Sequence, residues 1–172
     1  MNSITDFPLF KLADRTRRNH ALEHAAIHIL TKRNPGISFS GYSTFEAVYI
    51  RGNVEIEEIA AGIKEAFEKL NLGHKKLAIH PNCGTNFAVS GGLAGLAAGL
   101  VMLGVGSKAK DRINRLSWAM MIATIILIVA RPLGPIVQER YTTDPNLRDM
   151  EVVHIAKVLD NGHKAYKIST KG

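Results

Sequence analysis

Residues 87–105 read FAVSGGLAGLAAGLVMLGV, a run of nineteen residues without a charge. A helix needs roughly 20 apolar residues to span the hydrocarbon core of a bilayer, so this run has the length of a membrane span. A second uncharged run, LSWAMMIATIILIVA at residues 116–130, reaches that length only if it continues to Val137. Together the two runs predict a transmembrane helical hairpin at residues 87–137. As core helices of a soluble protein, they would need a larger polar domain than the rest of this chain provides.

The segments on either side of the hairpin are polar and carry the patterns of a small α/β domain. Apolar residues repeat at three- and four-residue intervals in the N-terminal part, and they alternate with polar residues near residue 50. Asn161-Gly162 is typical of a tight turn between two strands. The predicted elements are a helix at 14–32, a strand at 45–51, a helix at 55–70, a short strand at 76–79 and tail strands at 151–159 and 163–170. The expected helix caps are Asp14 or Thr16 for the first helix and Thr85 or Asn86 for the first span.

The predicted fold class is therefore α+β, with a small polar α/β domain built from both ends of the chain and a two-helix transmembrane hairpin between them. Residues 1–86 form the polar part with the candidate site, and residues 87–137 form the hairpin. Residues 138–172 form a C-terminal β-hairpin that packs on the polar part. Two spans place both polar parts on the same side of the membrane.

The charge, the cysteine content and the N-terminal composition limit the partners, the disulfide bonds and the location to be expected of this protein. The formal net charge is +7, but basic residues are spread over every polar segment. This distribution favours attraction to anionic lipid, and we expect no binding to nucleic acid. The one cysteine excludes an internal disulfide. Residues 1–30 hold charges and histidines where a signal peptide has its apolar core, so the polar domain is expected on the cytoplasmic side of a bacterial-type cell membrane. The basic loop at residues 108–115 is the opposing signal.

A motif with the chemistry of a metal site, His20-Ala21-Leu22-Glu23-His24, lies on the first predicted helix. At about 100° per residue, His20 and His24 are about 40° apart on the helical wheel, and Glu23 is about 60° from His20. Two neutral imidazoles on one face bind one cation, and the carboxylate is left to act as general base on a bound water. His28 extends the row at i+8, where we expect it at the edge of an amphipathic face and not as a third ligand.

A second segment, His80-Pro81-Asn82-Cys83-Gly84-Thr85-Asn86, supplies the other candidate ligands. His80 and Cys83 are three residues apart and reach one ion, and the start of the following helix favours the thiolate form of Cys83. His20 and His24 with either His80 or Cys83 give three ligands and an open position, which is the layout of catalytic zinc. All four ligands together give the closed layout of a structural site or a sensor. The alternative without a metal is a turn and cap in which Cys83 is a small buried apolar residue.

Two resemblances rest on these motifs. H-x-x-E-H resembles the signature of the inverted zinc peptidases, in which the histidines are ligands and the glutamate is the general base. That resemblance implies a distal glutamate ligand, and the candidates by position are Glu46, Glu55, Glu57 and Glu58. N-H-A-L-E-H-A at residues 19–25 and H-P-N-C-G-T-N at residues 80–86 together resemble an uncharacterised bacterial family of small membrane proteins, a domain of unknown function. This second resemblance covers most of the chain and supports the choice of residues without implying a reaction.

The predicted function is that of an integral membrane zinc-type metalloprotein, a peptidase-like hydrolase with its site at the membrane surface. The predicted cofactor is Zn²⁺ or another divalent transition metal, and the predicted catalytic base is Glu23. The alternatives are a non-catalytic module that binds a metal or a tetrapyrrole, and a membrane assembly factor. The predicted partners are the lipid bilayer and, through the small-residue row Gly91, Gly95 and Gly99, the second span or another copy of the chain in a homodimer. The sequence identifies no substrate.

Overall fold

The structure is a computed structural model that describes residues 8–160 and 163–172. The chain divides into two compact units, one made of Met1–His80 with Glu139–Gly172 and the other of Pro81–Gln138. Within the described residues, the five α-helices and one four-stranded antiparallel sheet confirm the predicted α+β class. The elements in chain order are α1 (Pro8–Arg33), β1 (Ser40–Ser43), β2 (Ala47–Arg51), α2 (Ile56–Asn71), a 3-10 helix (Lys75–Ala78), α3 (Gly84–Met102), α4 (Ala109–Val129), α5 (Leu133–Val137), a π-helical turn (Gln138–Thr142), β3 (Glu151–Asp160) and β4 (His163–Lys171).

The strands of the first unit form one sheet in the order β1-β2-β4-β3. In the central pair, Val48 lies opposite Ile168 and Ile50 lies opposite Tyr166, and all four side chains are fully buried. Because side chains alternate along a strand, these residues form one apolar face of the sheet. The tail hairpin and the strand near residue 50 are thus confirmed, while β1 was not predicted. The predicted Asn161-Gly162 turn lies outside the described residues.

Helices α1 and α2 cover the apolar face of this sheet. The two helices approach closely where Gly62 meets Leu30, since a Cβ added to Gly62 would lie 2.5 Å from Leu30 Cδ2. A larger residue at position 62 would therefore require the Leu30 side chain to move. The buried residues that the two helices contribute to the core include Leu22, Ala25, Ala26, Ile29, Leu30, Ile59, Ile63, Ala66 and Leu70.

The first helix begins earlier than predicted, and the expected caps are wrong. α1 starts at Pro8, so Asp14 and Thr16 lie inside it. Inside the helix, Asp14 pairs with Arg18 at 3.3 Å. The Thr16 hydroxyl donates to the carbonyl of Leu12 at 2.8 Å.

The N-terminal half of α1 is fixed to the segment that precedes β3. Arg18 is buried and donates to the carbonyl of Leu147 at 3.3 Å and to the Asp149 carboxylate at 3.1 Å. One residue earlier, Arg17 donates to the carbonyl of Thr143 at 3.3 Å. Hydrogen bonds from charged donors are stronger than neutral ones, so these contacts hold the two segments of the first unit together.

The short strand predicted at residues 76–79 is wrong, because this segment is a 3-10 helix at Lys75–Ala78. Two consecutive side chains, Leu77 and Ala78, contact the core of the first unit. A strand would send neighbouring side chains to opposite faces, whereas a tight helical turn brings both inward. The turn also leaves the carbonyls of Ala78 and Ile79 directed at α1, where they accept hydrogen bonds from the side chains of His24 and His28.

The second unit contains the two helices that are long and apolar enough to cross a membrane, α3 and α4. Most residues of both helices are exposed, including large apolar ones such as Leu96, Leu100, Ile113 and Trp118. The second uncharged run does not continue as one helix to Val137, because α4 ends at Val129 and α5 starts after Pro132. α4 begins at Ala109, before the uncharged run at residues 116–130, because the charged residues that precede this run are compatible with a helix.

Small residues cap the start of α3 and form its buried face. Cys83, and not the predicted Thr85 or Asn86, is the N-cap of α3, and its Sγ accepts a hydrogen bond from the Thr85 backbone N–H at 3.4 Å. Ser90 and Ala94 are the buried residues of α3. By contrast, a Cβ added to the row Gly91, Gly95 and Gly99 would meet nothing within 4 Å in the described part of the chain.

Candidate metal centre

Four histidines of the first unit form a continuous row of rings. Helix α1 presents His20, His24 and His28 on successive turns, and His80 follows the 3-10 helix by two residues. The ring centroids are 4.2 Å apart for His20 and His24, 5.6 Å for His24 and His80, and 4.8 Å for His28 and His80. The structure thus brings the predicted candidates of α1 and His80 together, and it adds His28 to them.

Each histidine of α1 has one ring nitrogen at a backbone carbonyl. Nδ1 of His20 lies 2.9 Å from the Thr142 oxygen, and Nδ1 of His24 lies 2.7 Å from the Ala78 oxygen. His28 uses the other nitrogen, with Nε2 2.9 Å from the Ile79 oxygen. A carbonyl only accepts hydrogen bonds, so each of these nitrogens must carry the proton. In a neutral ring the lone pair is then on Nε2 of His20 and His24, and on Nδ1 of His28.

The spacing of the rings matches that of imidazoles around a metal ion. Two imidazoles that bind one zinc ion through bonds of about 2 Å have ring centroids roughly 5 Å apart. The three centroid distances in the row lie on either side of that value. One nitrogen of His20 and one of His24 lie within 4.8 Å of each other, a separation that small side-chain rotations would close around an ion. Second-shell carbonyls that fix the ring tautomer are a common feature of histidine metal sites.

Electrostatics keep the ring of His80 neutral. Burial, together with the neighbouring His28 and His24, lowers the pKa of His80 to about 4. A neutral imidazole is the form that binds metals, because the protonated ring has no lone pair. Near neutral pH, His80 is therefore in the protonation state that coordination requires.

Glu23 is buried on the side of α1 that faces β1. The side chain is 5% exposed, and it lies against Gly41, where an added Cβ would be 3.1 Å from both Cγ and Oε1 of Glu23. Ionised carboxylates are rarely buried to this extent without a specific environment, so this position is unusual for a surface helix. On the helical wheel this carboxylate is about 60° from His20, about 100° from His24 and about 140° from His28.

Two of the candidates for a distal glutamate ligand, Glu55 and Glu58, form ion pairs. Lys164 donates to Glu55 and lowers the pKa of its carboxyl group. Arg33, together with Asn34, does the same for Glu58. Both carboxylates thus serve ion pairs at the surface of the first unit. Glu46 and Glu57 are exposed.

Cys83 lies in the second unit, where its sulfur caps α3. In the same unit the buried Gln138 donates through Nε2 to Oδ1 of Asn86. A Cβ on Gly134 would also collide with Asn86, so α5 packs tightly on the first turns of α3. The H-P-N-C-G-T-N segment therefore ends the first unit with His80 and starts the second with a capped, firmly packed helix.

Sequence reasoning missed two features of this row. His28 was assigned to the edge of an amphipathic face, although its i+8 spacing from His20 was the signal that it continues the same stripe. The carbonyls that orient the rings were not predictable from residue types, because every residue has a carbonyl and only the 3-10 turn selects those of Ala78 and Ile79.

Comparisons with known proteins agree with the motif-based resemblance. The profile of a family described as Domain of unknown function (DUF6391) matches residues 15–155, a range that includes both histidine-containing motifs. An uncharacterized protein of Picosynechococcus sp. (strain ATCC 27264 / PCC 7002 / PR-6) is 33% identical over 140 residues, which cover 74% of this chain and 65% of that protein. The chain thus spans about two thirds of the length of this relative. No solved structure matches the chain.

Proposed function

The chain belongs to the family described as Domain of unknown function (DUF6391), and from that premise we propose that the protein is a membrane metalloprotein whose histidines bind a zinc-type divalent ion. In this proposal α3 and α4 insert into the bilayer, and the histidine row of the first unit is the metal centre. His20 and His24 are the primary ligands. The third ligand comes from the segment that contains His80 and Cys83, as the sequence predicts.

The observation that carries the metal proposal is the set of carbonyl contacts made by the histidines of α1. A buried ring N–H needs an acceptor in any role, and the feature that favours metal binding is the lone pair that each contact leaves on the other ring nitrogen. Here the carbonyls of Thr142, Ala78 and Ile79 each take one ring proton, which commits the lone pair of each ring to its other nitrogen. Imidazole suits zinc, copper, nickel and iron, so the class of ion is a divalent transition metal.

The membrane part of the proposal is supported by the surface of α3 and α4. Both helices have the length and hydropathy of membrane spans, and they leave large apolar side chains exposed along most of their length. The core helices of a soluble protein would have these side chains buried. Extraction of cell membranes with alkaline carbonate tests the proposal: the protein is expected in the membrane pellet, and release into the supernatant would contradict insertion.

Metal content tests the metal centre directly. The full chain is purified in detergent without chelators and its metals are measured by mass spectrometry, before and after stripping and reloading with Zn²⁺. We expect at least one tightly bound equivalent in the wild type and its loss in His24→Gln. His154→Gln is the matched control, because His154 is exposed on β3 and outside the row. Wild-type protein that binds no Zn²⁺, or a His24→Gln variant that binds as the wild type does, would refute the proposal.

A hydrolase is the candidate activity of this centre, and the burial of Glu23 is the observation that favours it. A buried carboxylate on the same turn of α1 as the two proposed ligand histidines is suited to take a proton from a metal-bound water, whose pKa a zinc ion lowers toward roughly 7. The activated water would then attack a carbonyl carbon, as the resemblance of the motif to the inverted zinc peptidases implies. In this role Glu23 acts on the water and does not bind the ion.

Glu23→Gln separates catalysis from metal binding. The substitution keeps the size of the side chain and removes its basicity. If the centre is hydrolytic, the variant keeps its Zn²⁺ and loses at least 100-fold in the rate of metal-dependent peptide hydrolysis, the usual contribution of a general base. Glu57→Gln, an exposed carboxylate on α2, is the control. Equal rates for the two variants, or a wild type without hydrolysis of any peptide in a mixed library, would favour a non-catalytic metal-binding module.

A further inference from the structure

We propose that the histidine row holds two metal ions, with a second binding position between His28 and His80. This inference rests on the proposed metal centre and extends it to a residue that sequence reasoning set aside. The ring of His80 is closer to His28, at 4.8 Å between centroids, than to His24, at 5.6 Å. The pairing of rings along the row is therefore His20 with His24 and His28 with His80.

The tautomers support the same pairing. Because Nε2 of His28 donates to the Ile79 carbonyl, its lone pair is on Nδ1, the nitrogen near the helix backbone. Ile79 immediately precedes His80, so this hydrogen bond also holds the backbone of His80 against the last turns of α1. The contact that fixes the His28 ring thus positions the second ligand of the same pair.

The helix geometry prevents one ion from using the whole row. His20 and His28 are eight residues apart, which corresponds to roughly 12 Å along the axis of α1. Ligand bonds of about 2 Å cannot bridge that separation when the lone pair of His28 is on the nitrogen nearer to the backbone. One ion at the His20 and His24 pair therefore leaves the His28 and His80 pair for another.

The ion bound at the second position is a divalent transition-metal cation. Two neutral imidazoles form half of a tetrahedral zinc site, and water molecules fill the remaining positions at a half-buried location. The midpoint of His20 and His24 lies six residues from His28 on the helix, so the two ions would be no more than about 9 Å apart along the axis. Paramagnetic ions at that separation interact measurably.

Zn²⁺ titration of the metal-stripped full chain in detergent, followed by isothermal calorimetry, tests the inference. We expect two equivalents in the wild type, one in His28→Gln, one in His20→Gln and two in the control His154→Gln. Glutamine keeps an amide N–H that can donate to the Ile79 carbonyl, and circular dichroism of the metal-free variants verifies folding. His80→Gln is the second variant for the same position, and it too is expected to bind one equivalent.

A second readout uses Cu²⁺ as the probe. Electron paramagnetic resonance of the wild type is expected to show dipolar broadening when the second equivalent is added, and His28→Gln should show none. Binding of one equivalent that His28→Gln leaves unchanged would overturn the second position and leave the proposed function intact. Binding of one equivalent that His28→Gln abolishes would also overturn it, because a single ion would then be centred on His28. Absence of any binding in the wild type would overturn the inference and the proposed function together.

Discussion

Nδ1 of His24 lies 2.7 Å from the carbonyl oxygen of Ala78, and this hydrogen bond joins the middle of α1 to the 3-10 helix. His24 is 2% exposed and Ala78 is 1% exposed, so water cannot replace either partner. The bond selects the Nδ1–H tautomer of His24. It also gives the Ala78 carbonyl a hydrogen-bond donor. The structural role of this bond and the ligand role that we propose for His24 therefore fall on one side chain.

His24→Ala is expected to destabilise the metal-free protein by about 3 kcal/mol, because it leaves the Ala78 carbonyl without its partner and opens a cavity. His24→Asn should cost about 1 kcal/mol less, since its amide N–H can take the place of the Nδ1–H. Chemical unfolding in detergent followed by circular dichroism measures both. The exposed His154→Ala should change stability by less than about 0.5 kcal/mol. Equal losses for His24→Ala and His24→Asn would mean that the hydrogen bond contributes nothing.

Acid should destabilise the metal-free protein in a specific pH window. The ordinary pKa of a histidine side chain is 6.5, and that of His80 in the folded chain is about 4. The ring is partly buried and faces His28 and His24, and both effects lower its pKa. Between these pH values the unfolded chain binds the proton and the folded chain does not, so stability falls as the pH drops from 6.5 and levels off below 4. For a half-buried ring in contact with solvent we expect a loss of about 1 kcal/mol.

The pH dependence of unfolding in wild type and His80→Gln measures this effect. Glutamine has no titrating group, so the variant should lose the part of the slope between pH 4 and 6.5 that His80 contributes. A ring signal of His80 in NMR spectra that titrates near 6.5 would contradict the depressed pKa.

The large elements of the fold were predictable because their patterns are local. Regular apolar spacing identified α2, and an uncharged run identified α3, while the tail hairpin followed from its turn residues. The first strand, β1, escaped because Ser40–Ser43 carries few apolar residues and forms only as the outer partner of β2. The segment at Lys75–Ala78 was misread because four residues cannot distinguish a strand from a turn without their tertiary contacts.

The candidate site was predictable in its residue types and not in its arrangement. The i, i+4 spacing identified His20 and His24, since helix geometry alone puts them on one face. The partner of each ring depended on the path of the chain after α2, which brings His80 and two carbonyls to α1. His28 was set aside because spacing shows which face a residue occupies and not what that face will meet.

Gly41 determines how Glu23 is accommodated beneath β1. A Cβ at this position would lie 2.6 Å from the backbone oxygen of Tyr49 and 3.1 Å from the Glu23 carboxylate, so Gly41→Ala must displace one of them. We expect a loss of about 2 kcal/mol, the usual cost of overpacking. Gly84→Ala is the control, because an added Cβ meets nothing within 4 Å there, and its effect should stay below about 0.5 kcal/mol. A Gly41→Ala variant as stable as the control would show that the contacts of Gly41 with Tyr49 and Glu23 are not tightly packed.

The thiolate ligand predicted from the sequence can be tested separately from the role of Cys83 as a helix cap. Serine is among the best N-cap residues, so Cys83→Ser should keep the hydrogen bond to the Thr85 N–H and leave the stability of the protein within about 0.5 kcal/mol of the wild type. Because Cys83 is the one cysteine of the chain, any sulfur-to-metal charge-transfer band of the Co²⁺-loaded protein must come from it. We expect that band in the near-ultraviolet spectrum of the wild type and its loss in Cys83→Ser. A Co²⁺-loaded wild type without the band would restrict Cys83 to capping α3, and the metal would then be held by imidazoles alone.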